Sequence, residues 1–294
     1  MSEFRIDALL PAEMATRAED LGVRKAEMPF LKMFLLAVLA GAFIALGALF
    51  ATPVGAGSMA VVTPEGEAAF SAGLPYGVTR LLSGLVFSLG LILVVVGGAE
   101  LFTGNNLIVM AWASGKVTLG AMLRNWAIVY FGNFVGSFGT AVLVYFTKQY
   151  TFGKDAIGIS ALNTAVAKSS FDFVQAVALG ILCNALVCMA VWLTFSARST
   201  IDKIAAILFP ISAFVAAGFE HSVANMYFVP YALLVKMGDP DFTARVADRI
   251  PNLDKLTWSN FFIHNLIPVT LGNIVGGAVL VAAVYWAIFL RKTR

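Results

Sequence analysis

The stretch AAGFEHSVAN, Ala216 to Asn225, decides how this chain folds. It lies within an apolar segment that begins near Ala205 and runs to about Leu234, long enough to cross a bilayer. Yet the middle of that segment holds Gly218, Glu220, His221, Ser222 and Asn225. An ionisable side chain at bilayer depth costs ~2.5 kcal/mol or more, so such groups are kept where they face a water-filled or substrate-filled path. A glycine beside a polar cluster predicts an interruption of the helix. Interrupted backbone at that depth is tolerated only inside protein or along a cavity. The centre of the segment therefore reads as a binding or permeation site.

The whole composition agrees with that reading. Of 294 residues, 60% are hydrophobic and 13% charged, against about 25% charged in soluble domains. Several apolar runs exceed the ~18 residues that argue for a membrane span. The chain reads as a polytopic membrane protein, not a soluble enzyme. Its net charge of +3 is too small and too dispersed for nucleic-acid binding. Cys183 and Cys188 are five positions apart in one apolar run and point in different directions, so neither a disulfide nor a metal pair is expected. No cofactor is expected, and the polar N-terminus does not resemble a cleavable signal.

Residues 1–29 are expected outside the membrane as an amphipathic N-terminal helix. Pro11 suits a first helical position, and Leu10, Met14, Ala18 and Leu21 form an apolar stripe. The helix would rest on the membrane surface or the bundle, or serve as a lid over a pore. Residues 30–294 form the membrane domain, with spans expected at Phe30–Thr52, Tyr76–Trp112, Leu119–Phe146, Phe171–Phe195, Lys203–Lys236 and Asn260–Leu290. The second and fifth are too long for one straight crossing of ~20 residues, which predicts two half-helices in each. Longer loops, 53–75, 147–170 and 237–259, connect the spans on one side.

Twelve of the twenty lysines and arginines gather on the other side. They are Arg5, Arg17, Arg24, Lys25, Lys32, Lys116, Arg124, Arg198, Lys203, Arg291, Lys292 and Arg294. By the positive-inside rule both termini are expected in the cytoplasm, and an even number of spans agrees with their lying on one side.

The halves 30–146 and 171–290 resemble each other. AVLAG at 37–41 pairs with AVALG at 176–180. Gly98, Glu100 and Asn105 pair with Gly218, Glu220 and Asn225. Asn125, Gly132, Asn133, Val135 and Gly136 pair with Asn265, Gly272, Asn273, Val275 and Gly276. Three spans per half is an odd number, so the halves must be inverted relative to each other across the membrane plane. In inverted-repeat transporters the site lies between the halves, on the broken helices. That sets GGAELFTGNN at 97–106 opposite AAGFEHSVAN.

The runs GGAELFTG at 97–104, GILCNALVCMAVW at 180–192, GFEHSVANM at 218–226 and NLIPVTLGNIVGG at 265–277 resemble the signatures of the formate/nitrite transporter family. The start, LLPAEMATRAEDLGVRKA, is similar to that of bacterial formate channels. The resemblance implies an all-α, aquaporin-like protomer of six helices, assembled as a homopentamer in the bacterial cytoplasmic (inner) membrane. His221 would be the pore histidine and Thr103 its partner. Phe87, Leu91 and Phe214 would form the periplasmic constriction, and Phe102 and Val187 the cytoplasmic one. Lys168 would be the vestibule lysine and Asn184 a polarising asparagine.

Such residues suit one chemistry. A small carboxylate has an acid strength close to that of Asp, ~3.9, so protonating it at pH 7 costs roughly 4 kcal/mol. Stripping it bare into low dielectric costs on the order of 20 kcal/mol in the Born limit. Through an apolar ring the neutral acid is the cheaper cargo, and histidine is the side chain that switches near neutral pH. His221, aided by Thr103 and Glu220, would lend or relay a proton to the anion.

Simpler roles suit the other polar residues. Glu100 and Glu220 are expected to cap the half-helices by accepting backbone N–H bonds, with Asn225 supporting the loop. Asn133 and Asn273 would serve interhelical hydrogen bonding, and His264 would be structural. Lys168, apart from the resemblance, reads as an ordinary loop lysine.

Formate is the expected cargo, with nitrite through the same fold as the alternative. A neutral-solute channel of the aquaporin type is disfavoured by the absence of NPA loops. An enzyme is disfavoured because two lone histidines make no metal or nucleophile cluster.

Overall fold

A computed structural model of the protein describes residues 8–57, 59–62 and 68–291. Arg5, Lys292 and Arg294, used above to orient the chain, lie outside the described residues. Six helical segments are long and apolar enough to cross a membrane. They are Phe30–Ala56 (α2), Tyr76–Gly97 (α3), Leu119–Phe146 (α6), Phe173–Ser196 (α8), Thr200–Ala217 (α9) and a final span, Trp258–Phe289. Their starts follow local chemistry. Pro29 and Pro75 precede α2 and α3. Thr118 accepts the Ala121 N–H, Asp172 the Gln175 N–H and Ser199 the Asp202 N–H, each satisfying an otherwise orphaned donor of the first turn.

The helix from Tyr76 ends at Gly97, and the next helical residues are Phe102–Asn105 (α4), continuing through Asn106–Ile108 into Val109–Ala113 (α5). The helix from Thr200 ends at Ala217 and the next, Ser222–Gly238 (α10), begins five residues on. Both first helices end on a glycine in the left-handed region, Gly98 at φ 76° and Gly218 at φ 77°, where any Cβ is strained. Leu101 and His221, the residues before the second helices, are extended at φ −109°.

The long loops carry structure that a plain reading of their composition misses. Residues 59–72 include two paired antiparallel strands, Met59–Val62 (β1) and Ala68–Ala72 (β2), so the all-α expectation holds for the spans but not for this loop. The expected loop 147–170 contains a helix, Ala156–Lys168 (α7), which packs against α10 and α2. Its buried face is Gly158, Ala161, Leu162, Ala165 and Val166, residues too small to stand out in a polar loop. Pro240–Val246 (α11) follows α10, capped by Asp239.

Pro11–Ala26 (α1) lies against the bundle rather than apart from it. Met14, Ala15, Ala18, Gly22 and Ala26 are buried against α5, α6 and α8, whereas Leu10, part of the expected stripe, is exposed. An ion pair from Lys116 to Glu19 ties α1 to the loop after α5.

Helix packing rests on small residues. A Cβ on Gly136 would stand 1.9 Å from the Val38 carbonyl oxygen, and one on Gly276 would stand 2.1 Å from that of Ile181. Likewise Gly132 sits over Phe34 and Ala37, and Gly272 over Val177 and Gly180. Each of these pairs relates the first elements of the two halves by 143 positions. The sequence pairing of AVLAG with AVALG, at an offset of 139, is therefore displaced by one helical turn. Small apolar residues recur every turn, so matching them by composition leaves the register open by four.

Candidate functional site

Four bonds recur at both interruptions, while Lys25 also donates to Asn105 Oδ1 at 2.9 Å in the first and Asn265 to Glu220 at 3.1 Å in the second. At the first, Glu100 accepts from Lys25 Nζ at 2.6 Å and from Asn105 Nδ2 at 2.7 Å. Asn105 also donates to Asn125 Oδ1 at 2.9 Å, and Asn125 donates to the Lys25 carbonyl at 2.9 Å. At the second, Glu220 accepts from Lys168 Nζ at 2.8 Å and from Asn225 Nδ2 at 2.7 Å. Asn225 donates to Asn265 Oδ1 at 2.7 Å, and Asn265 donates to the Lys168 carbonyl at 3.0 Å.

The expectation that the glutamates cap backbone is corrected here, because a lysine and an asparagine occupy both carboxylates. The asparagines cap instead. Asn133 accepts the Phe102 N–H at 2.9 Å while donating to the Ala37 and Glu100 carbonyls. Asn273 accepts the Ser222 N–H at 2.9 Å while donating to the Gly180 and Glu220 carbonyls. Backbone freed by each break is thus satisfied from side chains, as burial demands.

His221 is itself the N-cap of α10. Its Nδ1 accepts the Ala224 N–H at 3.1 Å, and its Nε2 lies 2.9 Å from Thr103 Oγ1. A nitrogen that accepts carries no proton, so in the neutral ring the proton sits on Nε2 and is donated to Thr103. The imidazole is buried, stacked beside Phe214 at 6.0 Å, and Phe214 meets Phe87 edge-on at 5.6 Å.

Two cavities with no lining residue in common approach this pair. One, of 390 Å³, is lined by Arg80, Phe87, Lys168, Phe214, Glu220 and His221 among others. The second, of 330 Å³, is lined by Lys25, Leu91, Glu100, Leu101 and Lys203, and is bordered by Arg17 and Gly22 of α1. Phe87 faces the first and Leu91 the second, one helical turn or ~6 Å apart along α3. Thr103 lines neither, but its neighbour Gly104 lines the second cavity while its hydroxyl reaches His221 in the first. No residue lines both cavities, so a partition separates them.

Some expected residues lie elsewhere. Phe102 lines neither cavity. It is buried edge-on against Trp126 at 6.1 Å and Tyr130 at 4.9 Å. Val187 is buried and also lines neither. Asn184 is spent on structure, donating to the Thr103 carbonyl at 3.3 Å, Asn106 Oδ1 at 2.8 Å and the Asn273 carbonyl at 2.7 Å. Lys168 is no ordinary loop residue, being ion-paired and set over the Phe228 ring at 5.4 Å. His264 is exposed, both cysteines are free, and no metal-binding cluster occurs among the described residues.

Leu101 was missed. The repeat carried the signal, since an offset of 120 places Leu101 where the second half has His221.

The formate/nitrite transporter family model matches residues 12–287. The chain is 44% identical over 289 residues to the formate channel FocA of Escherichia coli K12, covering 97% of this chain and 96% of that one. It is 38% identical to a probable formate transporter of Methanothermobacter thermautotrophicus, over 96% of this chain and 97% of that one. A solved pentameric formate channel with formate bound is similar in structure at TM-score 0.79 and 45% identity, over 89% of this chain and 98% of that one. These relatives are channels and transporters, not enzymes. Six spans, matched networks at two interruptions and this likeness over nearly the full length lead to one conclusion: the chain belongs to the formate/nitrite transporter family.

Proposed function

We propose that the protein passes formate and related small monovalent anions across the bacterial cytoplasmic membrane, one pore per subunit of a homopentamer, with proton exchange at His221. The two halves are inverted repeats, and α3 and α9 are the first parts of broken crossings. Both termini are cytoplasmic, so the cavity beside α1 opens inward and the Lys168 cavity outward. The four bonds shared by the two networks support the repeat, and the similar channels named above support the cargo and the assembly.

The observation that carries this reading is the His221–Thr103 pair in the partition between two cavities. Phe87, Phe214, Leu91 and Leu101 make that partition apolar, so a hydrated anion is rejected and a neutral acid passes at lower cost. The Nε2–H of His221 is the donor available to a carboxylate that arrives there. Transfer of a proton needs the imidazolium, which carries a second proton on Nδ1 and so displaces the Ala224 N–H. Proton exchange is thereby tied to loosening of the first turn of α10. Thr103 takes the Nε2–H when no anion is present.

The test is formate flux into proteoliposomes across about two pH units either side of the histidine range. Wild type should show a pH-dependent flux, and His221→Phe should lose that dependence. A His221→Phe channel with an unchanged pH profile sinks the proton-exchange reading. Nitrite and acetate run as competitors set the cargo preference.

A further inference from the structure

The charges that line the Lys168 cavity do not contribute equally. Lys168 points its ammonium at Glu220, 2.8 Å away, with the lysine partly and the glutamate fully buried. To an anion at a distance that pair is a dipole with no net charge. Among the described residues only one other charged side chain lines the cavity, Arg80 on α3. Its partners are neutral. Nε donates to the Ala216 carbonyl at 3.3 Å, and Nη2 donates to the Val215 carbonyl. No carboxylate among the described residues pairs with it, so the net positive charge of this cavity resides on Arg80.

Its placement adds to this. Val215 and Ala216 lie in the last turn of α9, where the helix dipole is negative, and the Val215 carbonyl also takes the Gly218 N–H at 3.1 Å. The arginine adds a donor to both carbonyls from α3 while half-buried, and its Nη2 lies 3.5 Å from where a Gly218 Cβ would be. A guanidinium has five N–H donors in a planar fork. Two bonds to α9 leave Nη1 and further hydrogens for the cavity. The same side chain therefore braces the turn that leads into Glu220 and His221 and offers a charge-assisted fork toward the space before them.

Resting on the channel reading above, we infer that Arg80 is the outer docking residue for a small monovalent oxyanion such as a carboxylate, and that Lys168 serves chiefly to hold Glu220. Anions would collect at Arg80 before reaching the apolar partition at Phe87 and Phe214.

The charge and the brace can be separated by two variants in proteoliposomes. Arg80→Lys keeps the charge but loses the fork. Arg80→Gln keeps an amide that can donate to a carbonyl but loses the charge. Formate uptake is measured from the Lys168 side over a concentration series at low and at high ionic strength. The half-saturating formate concentration should rise roughly tenfold in Arg80→Gln at low salt, as loss of a unit charge at short range near a protein surface implies. The difference from wild type should shrink at high salt. Arg80→Lys should stay within about threefold of wild type in half-saturation at both ionic strengths. If Arg80→Gln keeps the wild-type half-saturation, or if Arg80→Lys is the worse of the two, the docking role is overturned and only the brace remains. A wild-type protein that carries no formate would instead overturn the channel reading.

Discussion

The Nε2 of His221 and the hydroxyl oxygen of Thr103 lie 2.9 Å apart, although 118 positions separate them in the chain. Each stands within or just before the first turn of the second helix at its own interruption, so this bond joins the two halves at the partition. Thr103→Val keeps the shape but leaves the buried Nε2–H unpaired, at ~1–3 kcal/mol. We expect formate flux in proteoliposomes to fall about tenfold and Thr103→Ser to retain most of it. Equal flux through the Val and Ser variants would mean that the hydroxyl is dispensable.

Lys168 and Glu220 are 14% and 4% exposed in their side chains. Removing one charge leaves the other buried without its counterpart, a loss of ~3–5 kcal/mol. Lys168→Met should therefore lower the melting temperature in detergent by many degrees. Combining it with Glu220→Gln should recover most of that, because the neutral amide still accepts and donates within the asparagine network. Strictly additive losses in the double variant would contradict the pairing.

Asn273 makes three hydrogen bonds to backbone from one amide, and Asn133 makes the matching three. Leucine at either position leaves buried N–H and C=O groups without partners. We expect each variant to lose ~3 kcal/mol or more, or to fail to fold. Size-exclusion chromatography and thermal melts would register it, and a variant as stable as wild type would show that water replaces the amide.

Two glycines one turn apart on α6 should behave oppositely. A Cβ at Gly136 would stand 1.9 Å from backbone oxygen, whereas one at Gly139 would meet nothing within 4 Å. Gly136→Ala must push α2 away and should be severely destabilising. Gly139→Ala should be neutral or slightly stabilising, by up to ~1 kcal/mol from helix propensity. Comparable melting temperatures for the two would refute the close approach of α2 and α6.

Asp239 accepts the Phe242 N–H at 3.0 Å and the Tyr150 hydroxyl at 2.8 Å. Those donors, the backbone one foremost, hold its carboxyl below the usual carboxylate range, and burial together with Asp239 pushes Tyr150 up to about 12. A carboxyl lowered by folding stabilises the fold above its unfolded value and loses that contribution only as pH falls through the lower folded value. The corner between α10 and α11 should therefore be constant from mild acid to mild alkali. Asp239→Asn should cost ~1 kcal/mol in melts through the weakened cap and leave the pH profile of formate flux unmoved. A shifted profile would place a transport proton at this corner.

Much of this was legible in the chain. Gly98 and Gly218, each followed by a glutamate two positions on and an asparagine five further, end α3 and α9, and so costly a combination has few uses in an apolar segment. His221 stood out for the same reason. Other features were not legible. The capping by Asn133 and Asn273 depends on helices far away in sequence, so local reasoning gave the task to the glutamates. Phe102 and Leu101 are adjacent, and which of them faces the cavity depends on the extended backbone at Leu101, which turns consecutive side chains apart. Lys25 and Lys168, near the ends of α1 and α7, each pair with a glutamate and accept an asparagine N–H on the carbonyl, so the likeness of the halves reaches into helices whose small residues give little periodic signal.

By itself the sequence determined the membrane class, the number of spans and where two of them yield to polar residues, since transfer cost depends on the local run of side chains and on nothing else. Only the tertiary structure decided which donor meets which acceptor: the register of α2 against α6, the lysine on each glutamate, the Thr103 hydroxyl on His221 and Arg80 on the end of α9. Those contacts join residues that are distant along the chain, and a buried hydrogen bond is fixed to a fraction of an ångström by packing that no single segment encodes.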